Sequence, residues 1–136
     1  MHPSPPPRPP VRALLVDLSG TLHVGSTPTP GAVDALSQLR RNNEQSRTKI
    51  PFRFCSNTSK EGRADLEARL RKMGFELHDT DGPDDAGKGR EMWTSLGALS
   101  SHLRRNGLVR PFCLLEPSSR EEVLSGLSKA NAGMPV

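Results

Sequence analysis

Tyrosine is absent from this chain, tryptophan occurs once and phenylalanine four times. So few aromatic side chains leave little on which nucleobases can stack. The excess of 19 Lys and Arg over 15 Asp and Glu, a net charge of +4, therefore does not read as a nucleic-acid footprint. The placement of the cations argues the same way: Arg40-Arg41, the Arg69 to Lys72 run and Arg104-Arg105 each fall near the end of a predicted helix, where they complement its dipole. Cysteine is equally scarce. Cys55 and Cys113 sit in separate apolar, strand-like runs and in no CxxC or Cys/His cluster, which predicts two buried thiols in a reducing compartment and no structural zinc. No apolar run approaches the ~18 residues that would span a bilayer, and the N-terminus lacks the apolar region of a secretory signal. A soluble, cytoplasmic chain with no membrane partner is expected.

What is present is organised around Val11 to Thr21, VRALLVDLSGT. Val11, Ala13, Leu14, Leu15 and Val16 form a short apolar run suited to a strand buried on both faces, and Asp17 stands where the run stops. In open α/β sheets ligands bind beyond the carboxyl ends of the strands, and Ser19-Gly20-Thr21 is expected to offer free amides to an anion there. A polar turn whose Asp merely caps backbone amides would look the same in isolation. A second stretch, IPFRFCSNTSK from Ile50 to Lys60, repeats the pattern: the apolar run Phe52 to Cys55 ends in Ser56, Asn57 and Thr58. Between the two, Thr29-Pro30-Gly31 introduces a helix carrying Val33, Leu36 and Leu39 at helical spacing to Arg41, with Asn42-Asn43 as its stop. Strand, helix, strand with a crossover of this length reads as a right-handed βαβ unit, which turns Asp17 and Ser56 to the same sheet edge.

DLSGT, followed some forty residues later by SNTSKE, resembles the haloacid dehalogenase (HAD) superfamily, with PGAVDALSQLR and RADLEARLRKMGFEL extending the likeness. The resemblance covers about Val11 to Leu77 strongly and continues to about Leu127 more weakly. It implies an α/β fold: a partial Rossmann-like HAD core over 11–57, then the beginning of an α/β cap domain over 58–130. It also implies a phosphatase-type hydrolase acting on a small phosphorylated substrate. In that chemistry Asp17 attacks phosphorus to give an aspartyl-phosphate, and Asp17 with the Ser19 carbonyl holds Mg²⁺. Leu18, Ser19, Ser56 and Asn57 join Asp17 around the phosphoryl group, helped by the amides beyond Ser19.

Two departures from the family pattern predict weak or absent turnover. The position two after the nucleophile, an Asp acid/base in the family's phosphatases, is Ser19, and general acid/base help is typically worth ~10²–10⁴ in rate. The family also uses a later Lys and a later Asp pair, whereas this chain has no Asp after Asp85 and only Lys129 after Lys88. Completing the site would take about a hundred further residues, so the chain reads as a truncated form. A non-catalytic phosphate-binding protein and an interaction protein are the alternatives. A core of two strands leaves edges and apolar faces uncovered, which predicts an oligomer or a stabilising partner.

The remaining expectations are local. MHPSPPPRPP, residues 1–10, reads as an extended, disordered tail. Thr58 and Glu61 stand in capping-box spacing ahead of a helix with Leu66, Leu70 and Met73 on one face and Gly74 just past its end. His78 to Arg90 reads as a flexible polar loop; its Asp79, Asp81, Asp84 and Asp85 depart from the ligand order of a calcium loop. Met92, Leu96, Leu99 and Leu103 predict a helix ending at Gly107, Leu108 to Glu116 a strand interrupted by Pro111, and Ser118 with Glu121 the cap of a last helix before a tail at 131–136.

Overall fold

The structure, a computed structural model, describes residues 10–78, 91–108 and 110–131. The expected tail (to residue 9), the polar loop (79–90) and the last five residues lie outside them. The elements run β1 (Leu14–Asp17), β2 (His23–Val24), β3 (Thr27–Pro28), α1 (Ala32–Gln45), β4 (Phe52–Ser56), α2 (Arg63–Lys72), β5 (Met92–Thr94), α3 (Ser95–Arg105) and α4 (Pro117–Asn131). β1, β4 and β5 form one parallel sheet in that order, and β2 with β3 makes a small antiparallel hairpin. The fold is the expected α/β arrangement built on a parallel Rossmann-like sheet.

One face of that sheet makes the core. Strand side chains alternate, so Phe52, Phe54 and Met92 point the same way and close over Leu18, Leu22, Leu36, Leu66, Leu70 and Phe75, with Leu14 and Val16 packed alongside. α1 and α2 supply the helical side of this cluster. A second, smaller cluster of Leu96, Leu103, Val123 and Leu127 joins α3 to α4. The opposite face of β1 departs from expectation: Leu15 is 71% exposed, so the first strand is buried on one face only.

Several local boundaries also differ, each for a visible reason. α1 runs through Asn42-Asn43 because the Asn43 side chain bonds both backbone groups of Ile50, at 2.8 and 2.9 Å, instead of competing for its own helix. α2 starts at Arg63 after Gly62, so Thr58 and Glu61 do not form its capping box. Its far end is as expected: Gly74 takes φ +94°, its N–H donates to Arg71 O and the Phe75 N–H to Leu70 O, the paired bonds of a Schellman turn. Met92 belongs to β5, not to the following helix, because Thr94 caps α3 by accepting the Gly97 N–H at 3.0 Å. Leu108 to Glu116 forms no strand among its described residues. Pro111 lacks a donor, and no strand among the described residues lies beside it to pair with it.

The break expected at 57/58 does not divide the sheet. β5 pairs in parallel with β4 from Phe54↔Met92 to Ser56↔Thr94, so these later residues extend the first sheet.

Candidate functional site

β1 and β4 are in parallel register, Asp17 opposite Cys55, so both strands end at one edge. Asp17 leaves β1 there, exposed, and Thr21 Oγ1 donates to its Oδ2 at 3.0 Å. Ser56 and Asn57 leave β4 beside it, Ser56 half-buried and Asn57 exposed. The topology therefore brings the expected nucleophile and the hydroxyl/amide loop to the same carboxyl edge, where ligands of α/β sheets bind.

Other parts of the expected site differ. Leu18 turns its side chain into the core, 1% exposed, and contributes only its carbonyl, which accepts N–H bonds from Leu22 at 2.8 Å, His23 at 3.2 Å and Thr21 at 3.3 Å. The Gly20 N–H donates to His23 O at 2.8 Å. The amides of Gly20 and Thr21, expected to be free for an anion, are thus spent on closing the turn; Gly20, at φ +87°, makes that turn possible. Ser19 is exposed and bridges to His23. Ser56 Oγ accepts the Thr58 N–H at 3.3 Å, and Thr58 Oγ1 the Lys60 N–H at 3.4 Å, so these hydroxyls shape the loop.

The structure adds residues that sequence reasoning missed. The β2–β3 hairpin follows the Asp17 turn directly, with His23 bridged to Ser19; its signal was the Gly25-Ser26 pair between two short runs, with Gly25 at φ +59°. Arg69 ties it down, donating through Nη1 to Gly25 O at 2.7 Å while pairing with Glu61, just beyond the Ser56 loop. His23, 2% exposed, leaves both ring nitrogens without a hydrogen-bond partner among the described residues.

The loop from Thr58 to Arg63 is held from behind by α4 and the start of α3. Ser119 Oγ donates to Ser59 O at 2.9 Å, Ser95 Oγ to Thr58 O at 3.2 Å, and the Gly62 N–H to Ser118 Oγ at 3.1 Å. Glu122 accepts the Arg63 N–H and, at 2.9 Å, the Thr94 hydroxyl. α2 is therefore capped by residues about sixty positions away, and Ser118, expected to cap its own helix, serves α2 instead. No pattern local to 58–63 carries that information.

Comparison with known proteins agrees with this architecture. A family model described as haloacid dehalogenase-like hydrolase matches residues 14–126. The human haloacid dehalogenase-like hydrolase domain-containing protein 2 is 40% identical over 106 residues, 78% of this chain and 34% of that protein. The human phospholysine phosphohistidine inorganic pyrophosphate phosphatase is 33% identical over 116 residues, 82% of this chain and 37% of that one. Among solved structures, 4-nitrophenylphosphatase from Thermotoga maritima superposes with a TM-score of 0.64 at 25% identity, covering 87% of this chain and 39% of that one. This chain spans about a third of the length of the two human relatives. With its parallel sheet, its Asp17 edge and a family match over most of its length, the chain belongs to the haloacid dehalogenase-like hydrolase family.

Proposed function

We propose that the edge formed by Asp17, Ser56 and Asn57 is a phosphoryl site of the phosphatase type, used on small phosphate esters by way of an aspartyl-phosphate. The observation that carries the reading is the parallel register of β1 and β4, which ends both strands at one edge with Asp17 exposed and steadied by Thr21. In the reaction an Asp17 carboxylate oxygen forms a bond to phosphorus as the bond to the leaving oxygen breaks. Water then attacks the aspartyl-phosphate, and inorganic phosphate is released. Ser56 Oγ and the Asn57 amide orient the phosphoryl oxygens.

Magnesium fits the donors present in a minimal way. No group of three His, Cys, Asp or Glu gathers as a metal site among the described residues, but Mg²⁺ commonly takes one or two carboxylates and completes its shell with water and phosphate oxygens. Asp17 and the Ser19 carbonyl would hold it. When bound, the ion neutralises the charge shared by carboxylate and phosphate.

Ser19 sets the limit on rate. Its hydroxyl does not supply a proton near neutral pH, so the leaving group must take one from water. This favours slow turnover, and substrates whose leaving group needs little protonation. The same position supports a second reading, phosphate binding without turnover.

On this reading the core comprises 11–57 and the cap opens over 58–130, with β5 of that segment paired onto the core sheet, and the half-buried free thiols of Cys55 and Cys113 suit a reducing, cytoplasmic setting. No helix of the described residues is long and apolar enough to cross a membrane.

The test is phosphate release from p-nitrophenyl phosphate, with calorimetric titration of tungstate, each with and without Mg²⁺ and each compared with Asp17→Asn. Release above the Asp17→Asn background supports the phosphatase. Mg²⁺-dependent binding without release, lost in Asp17→Asn, supports the binding protein. Neither signal overturns both.

A further inference from the structure

One guanidinium joins two segments that the strands alone do not hold together. Arg69 stands in the last turn of α2, whose Leu66 and Leu70 are each 1% exposed, so the core fixes its backbone. Its side chain donates through Nη1 to Gly25 O at 2.7 Å, in the turn of the β2–β3 hairpin. Through Nε, at 3.2 Å, and Nη2 it donates to the two carboxylate oxygens of Glu61.

Each partner is tied in turn to one side of the phosphoryl edge. On the hairpin side the His23 N–H donates to Leu18 O at 3.2 Å, His23 O accepts the Gly20 N–H at 2.8 Å, and the Thr29 N–H closes the hairpin on Leu22 O at 2.8 Å. Hairpin and Asp17 turn are therefore built as one body. On the other side Glu61 continues the loop that carries Ser56 and Asn57, next to the Lys60 N–H that Thr58 Oγ1 accepts. Beyond the strand ends, no hydrogen bond among the described residues runs directly between the hairpin and that loop; Arg69 bridges them. The side chains of Arg69 and Glu61 are 29% and 23% exposed. Ion pairs this open to water add little to stability, whereas a forked guanidinium–carboxylate pair fixes geometry closely.

We propose that Arg69 is a positioning residue of the phosphoryl site: with Glu61 it latches the hairpin and Asp17 turn to the Ser56–Asn57 loop and sets the gap across which a tetrahedral oxyanion is held. The inference rests on the phosphoryl reading of that edge. Asp17 and the Ser19 carbonyl, the donors for Mg²⁺, both come from the turn, whereas the oxyanion needs Ser56 and Asn57 as well. A gap about 1 Å too wide therefore weakens oxyanion binding and spares the metal donors.

The experiment titrates tungstate into the full chain at saturating Mg²⁺, titrates Mg²⁺ alone, and follows amide hydrogen exchange. Arg69→Met and Glu61→Ala should each weaken tungstate about tenfold, leave Mg²⁺ affinity within about twofold, and speed exchange at the His23 and Thr29 amides while those of β4 are unchanged. Arg69→Lys keeps the charge but cannot fork onto both partners, so it should lose tungstate affinity as well. Should Arg69→Met fail to fold, Glu61→Ala decides alone. Tungstate bound by Arg69→Lys as tightly as by the parent overturns the latch, because charge alone then suffices. Equal weakening of Mg²⁺ and tungstate overturns it too, because the whole turn is then disturbed. A parent protein that binds no tungstate overturns the phosphoryl reading and the latch with it, whereas tungstate bound equally by the parent, Arg69→Met and Glu61→Ala overturns the latch and leaves that reading in place.

Discussion

Arg40 and Glu91 form a two-pronged ion pair, Nη1 to Oε1 at 2.6 Å and Nη2 to Oε2 at 2.7 Å, that clamps α1 to the residue just before β5. Arg40 also donates to Glu76 O at 2.7 Å and lies 4.9 Å above the Phe52 ring, and Glu91 accepts the His78 N–H at 2.8 Å. Burial alone would raise the Glu91 pKa, but the Arg40 hydrogen bonds and charge, with the His78 N–H, outweigh it and hold the carboxyl below its ordinary 4.5. A carboxylate with a lowered folded pKa stabilises the fold above its unfolded value, and that contribution is lost as pH falls through the folded one. Urea midpoints should therefore be flat from pH 7 to about 5 and decline below about 4.5, more gently in Glu91→Gln. Arg40→Met, which strands Glu91 with side-chain exposure of only 13%, should cost about 3 kcal/mol at pH 7. An acid limb equally steep in Glu91→Gln would assign it to other carboxylates.

Glu122 joins three helices through one carboxylate. It caps α2 at the Arg63 N–H and accepts from Thr94, whose own oxygen caps α3. Glu122→Ala leaves the α2 N-terminus without that acceptor and should destabilise by about 1–2 kcal/mol, the range for a lost helix cap. Hydrogen exchange at the Arg63 amide should speed up in the same variant. An unchanged midpoint would mean that Ser118 and water suffice.

Thr21→Val removes the hydroxyl that steadies Asp17. Both residues are exposed, so the unfolding midpoint should move by less than about 0.5 kcal/mol. Mg²⁺-dependent tungstate affinity should fall severalfold, about 1 kcal/mol for the lost orienting bond. A large loss of stability would make Thr21 a turn residue and nothing more.

The parts legible in the sequence are those whose determinants lie close together. The apolar runs ending in Asp17 and in Ser56-Asn57, with a helix between them, specify parallel neighbours, and the structure pairs them in register. Gly74 reads as a helix stop because its positive φ is a local demand. The failures involve partners far along the chain. Asn43 looks like a stop until Ile50 occupies its amide, and the capping of α2 depends on Ser118 and Glu122. Leu108 to Glu116 has the apolar content of a strand, and Cys113 and Leu115 do pack against the α3–α4 cluster while Phe112 and Leu114 stay 90% and 86% exposed. Alternation specifies faces; it does not supply the neighbouring strand. At the site, the positions of Asp17 and Ser56 follow from topology, whereas the loss of the Gly20 and Thr21 amides to the turn depends on backbone detail that spacing does not carry.

Gly126 lies where α4 crosses α3, and a Cβ built there would come within 2.9 Å of Ser100 Cβ and 3.1 Å of its hydroxyl. Ser100 is buried and donates back to Leu96 O at 3.0 Å, so it has little room to retreat. Two effects oppose each other in Gly126→Ala. Alanine gains about 1 kcal/mol in helix propensity, while overpacking a close helix contact typically costs about 1–3 kcal/mol. The contact is backbone-near and lies next to Val123, which is fully buried, so the steric term should win and the variant should be less stable by about 1 kcal/mol. Ser100→Gly by itself weakens α3, but in that background, where the opposing atoms are gone, adding Gly126→Ala should no longer destabilise and should gain up to about 1 kcal/mol. Chemical denaturation of the parent, the two single variants and the double variant decides it: a stabilised Gly126→Ala in the parent would show that the α3–α4 pair can separate slightly without loss.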